Sequence, residues 1–440
     1  MVFDIQLDNM KARQFITENL LQIVRKLAKE PVDVQVSISE KPENGDYYSN
    51  VALQLASALH KKPSEIALSI KQEYEKLADK NIAKIEVAGA GFINFFLSRD
   101  YLRENLLQVI SDREGFGKGK SLSGKKIMVE FAHPNTHKEF HIGHLRNITL
   151  GESICRLLSA QGARISRVNY QGDVGMHVAK ALYGLLQNSK FKIQNSKLGK
   201  LSITEKTRLL GEAYAAGSKA YEDDESAKKK VGEINKQIYA RTEPTYSLWK
   251  KTRAWSLEYF DSVYKRLGTK FDRFFFESEV YESGKQIVLD NVGKVFEKNE
   301  GAIIFAGKKY GTHTRVFVTG EGNPTYEGKE MGLGPLEYKE FKFDQALHVV
   351  GPEQSGYFEV VFKALELIDP VFAGREKHLS YGFVRLKDGK MSSRLGNIVR
   401  GEWLLDEARK RISKSFPDMD SRTSETVAVA AVKYSMLKVG

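Results

Sequence analysis

Apolar positions change period several times in the first hundred residues. Phe15, Leu20, Ile23 and Leu27 recur at helical spacing within residues 9–29, and Pro31 ends the pattern. The next segment, VDVQVSIS, alternates as a half-buried strand does. It runs into the turn cluster Lys41-Pro42-Glu43-Asn44-Gly45-Asp46. A second helix is predicted over residues 62–77, then strand and bend in IEVAGAGFINFFLS at 85–98. Residues 1–105 read as a compact α+β domain.

From residue 126 the pattern changes. KKIMVEF is a short apolar strand; a loop follows, then a helix from His141 and the strand-like ARISRVN at 163–169. Strand, helix, strand at this spacing is a βαβ unit, so a parallel sheet and α/β architecture are expected. Ligands of such sheets sit beyond the carboxyl ends of the strands, which makes Glu130 and Asp173 candidates for that rim. Residues 187–262 are polar and helical, with Asp223-Asp224-Glu225 and Lys228-Lys229-Lys230, and read as a solvated helical insertion. Residues 275–330 turn β-like (GAIIFAG, TRVFVTG) and break on Gly and Pro. LHVVG at 347–351 is another buried strand, the helix after it contains FEVVFKALELI, and the chain is helical beyond 400. Internal repeats and low-complexity segments are absent.

Composition narrows the class. A chain of 440 residues suggests about three domains, with 41% hydrophobic and 28% charged residues, ordinary for a globular protein. The net charge of +12 favours a polyanionic partner such as nucleic acid. Cys155 is the single cysteine, which excludes an internal disulfide and a Cys-based zinc site. The start, MVFDIQLDNM, lacks a secretory pattern, and no apolar run approaches the roughly 18 residues of a membrane span, so a cytosolic location without membrane association is expected.

Two motifs carry candidate chemistry. His141-Ile142-Gly143-His144 opens a helix just after a strand and loop. Its histidines share one face of the first turn, where free N–H groups and the helix dipole favour phosphate, and Gly143 lets a flat ligand such as adenine approach. Lys390-Met391-Ser392-Ser393-Arg394, flanked by glycines, suits a loop that closes over a triphosphate. His133, His137 and His141 are spaced four apart, as zinc ligands on a helix can be. Pro134 sits inside that stretch and disfavours a shared helical face, so no metal site is expected.

HIGH followed far downstream by KMSS, on a basic α/β chain, resembles the paired signatures of class I aminoacyl-tRNA synthetases. The context Glu130-Phe131-Ala132-His133-Pro134-Asn135-Thr136-His137-Lys138-Glu139-Phe140 leading into HIGH resembles the arginyl-tRNA synthetase family. Gly45-Asp46-Tyr47, Asn50-Val51-Ala52, Gly91-Phe92-Ile93-Asn94, Asn169-Tyr170-Gln171-Gly172-Asp173, Thr325-Tyr326, Val350-Gly351-Pro352-Glu353-Gln354 and Val432-Lys433-Tyr434 extend that likeness. It covers nearly the whole chain outside 187–262.

The resemblance implies a Rossmann-type parallel-sheet catalytic domain over 106–400 with helical and β insertions (about 187–262 and 275–330). It also implies an N-terminal α+β additional domain over 1–105 that grips the tRNA elbow, and the start of a helical anticodon-binding region over 401–440. Family members continue past this point, so the chain is expected to stop before that region is complete and to charge tRNA weakly by itself. By the same likeness Glu130, Tyr326 and Glu330 occupy the pocket of the arginine side chain, Asn135 and Gln354 hold its α-ammonium and carboxylate end, and His133 lies beside the amino-acid site. A planar, always charged guanidinium is well matched to carboxylates and an aromatic face. Lys138, His141, His144 and Lys390 are implied as catalytic, with Gly143, Met391, Ser392 and Ser393 also on ATP. Tyr47, Tyr48 and Asn50 are implied to contact tRNA.

Arginine, ATP with Mg2+, and tRNA-Arg are therefore the expected ligands of a monomeric enzyme. Three positions depart from the family pattern: Glu330 stands for Asp, His133 for a small residue, and Ser393 for the second lysine of KMSK, a loss for which Lys138 compensates. A different class I synthetase or a non-catalytic tRNA-binding relative are the alternatives. ATP binding separates the second of these from an enzyme.

Overall fold

The computed structural model describes residues 11–28, 32–187, 201–382 and 400–438. Backbone contacts divide the chain into two units, Met1–Ser123 with Ala160–Gly162, and Gly124–Ser159 with Ala163–Gly440.

In the first unit, helix α1 (Lys11–Leu27) precedes strands β1 (Val36–Ile38) and β2 (Tyr47–Ser49), helices α2 (Val51–Leu59) and α3 (Pro63–Glu75), the hairpin β3 (Ile82–Ala88) and β4 (Phe92–Leu97), and helix α4 (Arg99–Asp112). The four strands form an antiparallel sheet in the order β1-β2-β4-β3. Ile16, Leu20 and Ile23 of α1 bury against Leu55, Ile66, Ile70, Ile93 and Phe95, as the helical spacing predicts. Only three residues of VDVQVSIS pair as strand. Helix α2 is unanticipated: its nine residues are too few to display a period, and Val51, Ala52 and Leu55 alone mark its buried face. The border expected at 105 falls inside α4.

The second unit is built on a five-stranded sheet of order β12-β11-β5-β6-β7, parallel throughout. Its strands are β5 (Lys126–Glu130), β6 (Arg164–Gln171), β7 (Arg273–Phe276), β11 (Gln345–Val349) and β12 (Glu376–Leu379). The chain runs outward from β5 through β6 to β7, then returns to place β11 on the other side of β5. The order therefore reverses between β5 and β11, and a crevice opens at their carboxyl ends. Helix α5 (Ile142–Ala160) connects β5 to β6.

Between β6 and β7 lie α6 (Met176–Gln187), α7 (Ile203–Asp223), α8 (Glu225–Tyr239) and α9 (Thr245–Arg266). The insertion is helical, as its composition predicts, but it has apolar centres of its own around Val231, Trp249, Leu210 and Trp255. Helices α6 and α7 touch through glycines: a Cβ on Gly184 would lie 2.0 Å from the Ala213 carbonyl oxygen.

The stretch 275–330 is β-like only in part. Strands β8 (Glu297–Asn299), β9 (Ala302–Phe305) and β10 (Arg315–Val318) form a small antiparallel sheet, whereas α10 (Glu277–Asp290) and the start of α11 (Tyr326–Phe341) are helices. Gly328, Gly332 and Gly334 in α11 disguise it in the sequence. Close neighbours account for two of them: a Cβ on Gly332 would sit 2.5 Å from the Val280 carbonyl oxygen of α10, and one on Gly328 would sit 2.2 Å from the Phe317 carbonyl oxygen of β10. Helices α12 (Ser355–Ile368), α13 (Gly401–Ser415) and α14 (Ser421–Lys438) complete the described unit. Among the described residues no helix is long and apolar enough to cross a membrane.

Candidate functional site

Glu130 ends β5, and the backbone then leaves the sheet in left-handed conformations at Ala132 (φ 84°), His133 (φ 49°) and His137 (φ 63°). Side-chain amides hold this loop. Asn147 of α5 accepts from the Ala132 N–H at 2.5 Å and donates to the Val349 carbonyl at 2.6 Å, and Asn169 of β6 accepts from the His133 N–H at 3.2 Å. Thr136 N–H donates to the Gly172 carbonyl at 2.9 Å. Gly172 has no room for a side chain, since a Cβ there would lie 2.1 Å from Asn135 Oδ1. Neither Asn147 nor Asn169 carries a motif that reveals this role, because each acts on backbone distant in sequence.

The loop, α11 and the residues after β11 enclose a cavity of about 450 Å³. Glu130, His133, Asn135, Tyr326, Glu330 and Gln354 all line it, so the six residues expected around one amino acid do converge. Tyr170, Glu277, Arg315, Glu327 and Tyr357 line it as well. Of these only Tyr170 falls in a segment that the sequence marks. Glu277, Arg315 and Glu327 come from the stretch read as β-like, and Tyr357 stands in the helix after LHVVG with no pattern to mark it.

Charge dominates this cavity. Glu130 is 3% exposed, with Oε1 3.3 Å from His133 Nδ1 and Oε2 3.3 Å from His348 Nδ1. Burial is the largest single influence and would raise its pKa, but His348, His133 and Glu337 together outweigh burial and lower it well below the usual carboxylate range. Glu330 accepts a hydrogen bond from the Tyr357 hydroxyl at 2.9 Å. Burial and then the nearby Glu130 charge push Glu330 up to about 8. Two carboxyl groups of opposite tendency thus line one cavity. Lys329 and Glu277 pair at 2.6 Å, both buried, and Arg315 meets Glu327 at 2.9 Å. The carboxyl groups left without a cation lining the cavity, Glu130 and Glu330, suit a cationic ligand.

Helix α5 starts at Ile142, one residue later than expected, and His141 forms an isolated β-bridge with Arg400. The His141 and His144 rings stack at 3.9 Å. The His141 N–H donates to His144 Nδ1 at 3.2 Å, and the Gly143 N–H donates to His141 Nδ1 at 3.1 Å. Accepting at Nδ1 leaves the proton of each neutral ring on Nε2, a donor suited to phosphate oxygen. Burial keeps both rings neutral, with His141 lowered to about 4 and His144 well below its ordinary value. Gly143 is also required internally, because a Cβ would meet the His141 ring at 2.8 Å.

Lys138 lies over the Tyr214 ring at 5.0 Å, so α7 of the insertion borders the loop before HIGH. His137 is bonded through Nδ1 to the Thr136 hydroxyl at 2.9 Å and through Nε2 to the Thr252 hydroxyl at 2.7 Å. Its left-handed backbone, like that of His133, keeps the three spaced histidines off a common helical face. Asp173 follows the carboxyl end of β6 as expected but does not line the cavity: fully buried, it binds Arg253 at 2.6 Å and accepts from the Ser278 N–H at 2.9 Å. Lys390, Met391, Ser392 and Ser393 lie outside the described residues.

In the first unit, Tyr48 lines a groove of about 400 Å³ with Lys41, Asn44, Phe92 and Asn94. Phe92 is 37% exposed and edges the Tyr48 ring at 6.0 Å, rather than joining the core. Tyr47 instead packs against the core, and Asn50 stands at the start of α2. Strand alternation puts Tyr47 and Tyr48 on opposite faces.

The family model for tRNA synthetases class I (R), catalytic domain, matches residues 106–439, and that for the arginyl tRNA synthetase N terminal domain matches residues 11–97. An arginine–tRNA ligase of Treponema denticola is 32% identical over 425 residues, covering 93% of this chain and 70% of the relative. One from Borrelia garinii subsp. bavariensis is 28% identical over 447 residues, covering 98% and 74%. The fold is similar to the arginyl-tRNA synthetase structures from Thermus thermophilus (TM-score 0.67, 22% identity, covering 96% of this chain and 75% of that one) and Plasmodium falciparum (TM-score 0.66, 22% identity, 96% and 73%).

Proposed function

The chain belongs to the class I arginyl-tRNA synthetases, and on that premise we propose how its residues divide the work of joining arginine to tRNA-Arg. It is an aminoacyl-tRNA ligase that uses ATP. One observation carries the assignment of the arginine site: six side chains from three separate segments line a single cavity at the sheet's switch point, with Glu130 and Glu330 among them.

Arginine enters with its guanidinium between Glu130 and Glu330 and Tyr326 at the mouth. Asn135 and Gln354 take the α-ammonium and carboxylate, and His133 closes the side next to Glu130. In the first step an arginine carboxylate oxygen attacks the α-phosphorus of ATP in line. The bond to the bridging oxygen breaks, pyrophosphate leaves, and arginyl-adenylate forms. His141 and His144 donate Nε2–H to phosphate oxygens, and Lys138 supplies the positive charge. Gly143 borders the adenine, while Lys390, Met391, Ser392 and Ser393 also bind ATP. Mg2+ would neutralise phosphate charge. Among the described residues no cluster of three or more His, Cys, Asp or Glu could hold a metal, so the ion is proposed to arrive on the nucleotide. In the second step the terminal ribose 2′-OH attacks the adenylate carbonyl and AMP leaves.

Residues 1–105 bind the tRNA elbow, with Tyr48 contacting an unpaired base and Tyr47 and Asn50 shaping that surface. Residues 106–400 act as the catalytic domain and 401–440 open the anticodon-binding region. The enzyme works as a cytoplasmic monomer. The test is exchange of pyrophosphate into ATP with intact tRNA present, for which arginine-dependent exchange is expected. Exchange stimulated by lysine and not by arginine would sink the assignment.

A further inference from the structure

Behind the cavity lies a second row of charge that the reaction scheme leaves unused. The register of β11 against β5 sets His348 beside Glu130, and β12 brings Glu376 to the far edge of the imidazole. His348 Nδ1 is 3.3 Å from Glu130 Oε2, and Nε2 is bonded to Glu376 Oε2 at 2.7 Å. Exposure is 3% for Glu130, 4% for His348 and 8% for Glu376, so the row runs through the interior. The rings of Phe358 and Phe362 pack on the imidazole with centroids at 5.4 and 5.2 Å.

Buried carboxylates and an imidazole cost more to desolvate than apolar side chains of the same volume, so the fold alone gives no reason for them. Of the three, only Glu130 lines the cavity. We infer that His348, anchored by Glu376, is a positioning residue that holds the Glu130 carboxylate in the orientation from which it meets the guanidinium of arginine. This rests on the arginine pocket proposed above.

The groups facing His348 agree with that role. Glu130 comes from β5, Glu376 and His378 from β12, Glu330 and Glu337 from α11, and His133 from the loop after β5. Burial alone would neutralise the ring, but the Glu130 and Glu376 carboxylates outweigh burial and keep it protonated well above its ordinary range. The imidazolium donates from Nε2 to Glu376, and its Nδ1 side faces Glu130 Oε2 as a close opposite charge at 3.3 Å. Glutamine at 348 has a single amide donor group and no charge, so it cannot serve both.

The experiment is calorimetric titration of the full chain with arginine, and separately with ATP, for the unaltered protein, His348→Gln and Glu376→Gln. Loss of the supporting partner weakens arginine binding by about tenfold to a hundredfold in His348→Gln, with a smaller loss in Glu376→Gln and ATP affinity within about twofold throughout. The pH profile separates positioning from mere structure. Between pH 7 and 6 the arginine affinity of the unaltered chain falls only by the one proton that Glu330 must release on binding, because Glu130 stays ionised. In His348→Gln the fall over that interval is steeper, as Glu130, without its counter-charge, also takes up a proton. A folded His348→Gln protein with unchanged arginine affinity and an unaltered profile overturns the inference. If that variant does not fold, Glu376→Gln, which alters no atom lining the cavity, decides, and unchanged arginine affinity in it overturns the inference equally. Failure of the unaltered chain to bind arginine overturns the pocket assignment itself; binding that ignores both substitutions overturns only the role of His348.

Discussion

Glu330 shows how one methylene can be absorbed. The longer side chain reaches the Tyr357 hydroxyl at 2.9 Å and stays in the cavity with Glu130. With its pKa pushed up to about 8 by burial and by Glu130, it carries a proton at neutral pH until a cation arrives. The sign follows directly: a guanidinium favours the carboxylate, so arginine binding expels the proton, and affinity rises as pH increases from 7 to 9. Calorimetry at pH 7.5 in buffers of differing ionisation enthalpy should therefore register proton release. Glu330→Gln should abolish the release and weaken arginine binding by about 1.5–3 kcal/mol, the worth of a hydrogen bond to a charged group.

Helix α10 argues the same point at the scale of an element. Its own N-cap, Phe276, offers no side-chain acceptor, and the Ser278 N–H and hydroxyl are bonded instead by Asp173, 105 positions earlier in the chain. Asp173 also holds Arg253 of α9, so one carboxylate joins β6, the helical insertion and α10. Local signals could not reveal a helix whose cap is tertiary, which is why this stretch reads as β. Asp173→Asn should lower stability by about 3–5 kcal/mol, because it leaves the Arg253 charge without its buried partner. The shift of the urea midpoint measures this, and a loss under 1 kcal/mol would show that the junction holds without the charge.

For the whole molecule the formal net charge of +12 becomes a statement about tRNA. A protein that neutralises several phosphates releases counterions on binding, so affinity falls steeply with salt. For about six to ten contacts the loss is about 10³–10⁵-fold between 50 and 200 mM for duplex nucleic acid and less for single strands. Filter binding of tRNA across that range should show a linear fall of log affinity with log salt. A flat profile would mean that the positive charge is spent within the protein.

Periodicity and motif spacing were enough to read the parallel α/β core, the strand and bend at 85–98 in the first unit, the helical insertion and the residues of HIGH and its upstream loop. These signals are local, or recur as short fixed words. The resemblance also named six side chains for one pocket, and they do line one cavity. What only tertiary structure decided were the features made by distant partners. These are the strand order that opens the crevice, the amides of Asn147 and Asn169 that hold its loop, the cap on α10, and the glycine-lined contact that makes α11 a helix. His348 reads in sequence as one polar residue interrupting an apolar strand. Its meaning comes from β5 on one side and β12 on the other, and no spacing along the chain encodes which strands will be neighbours.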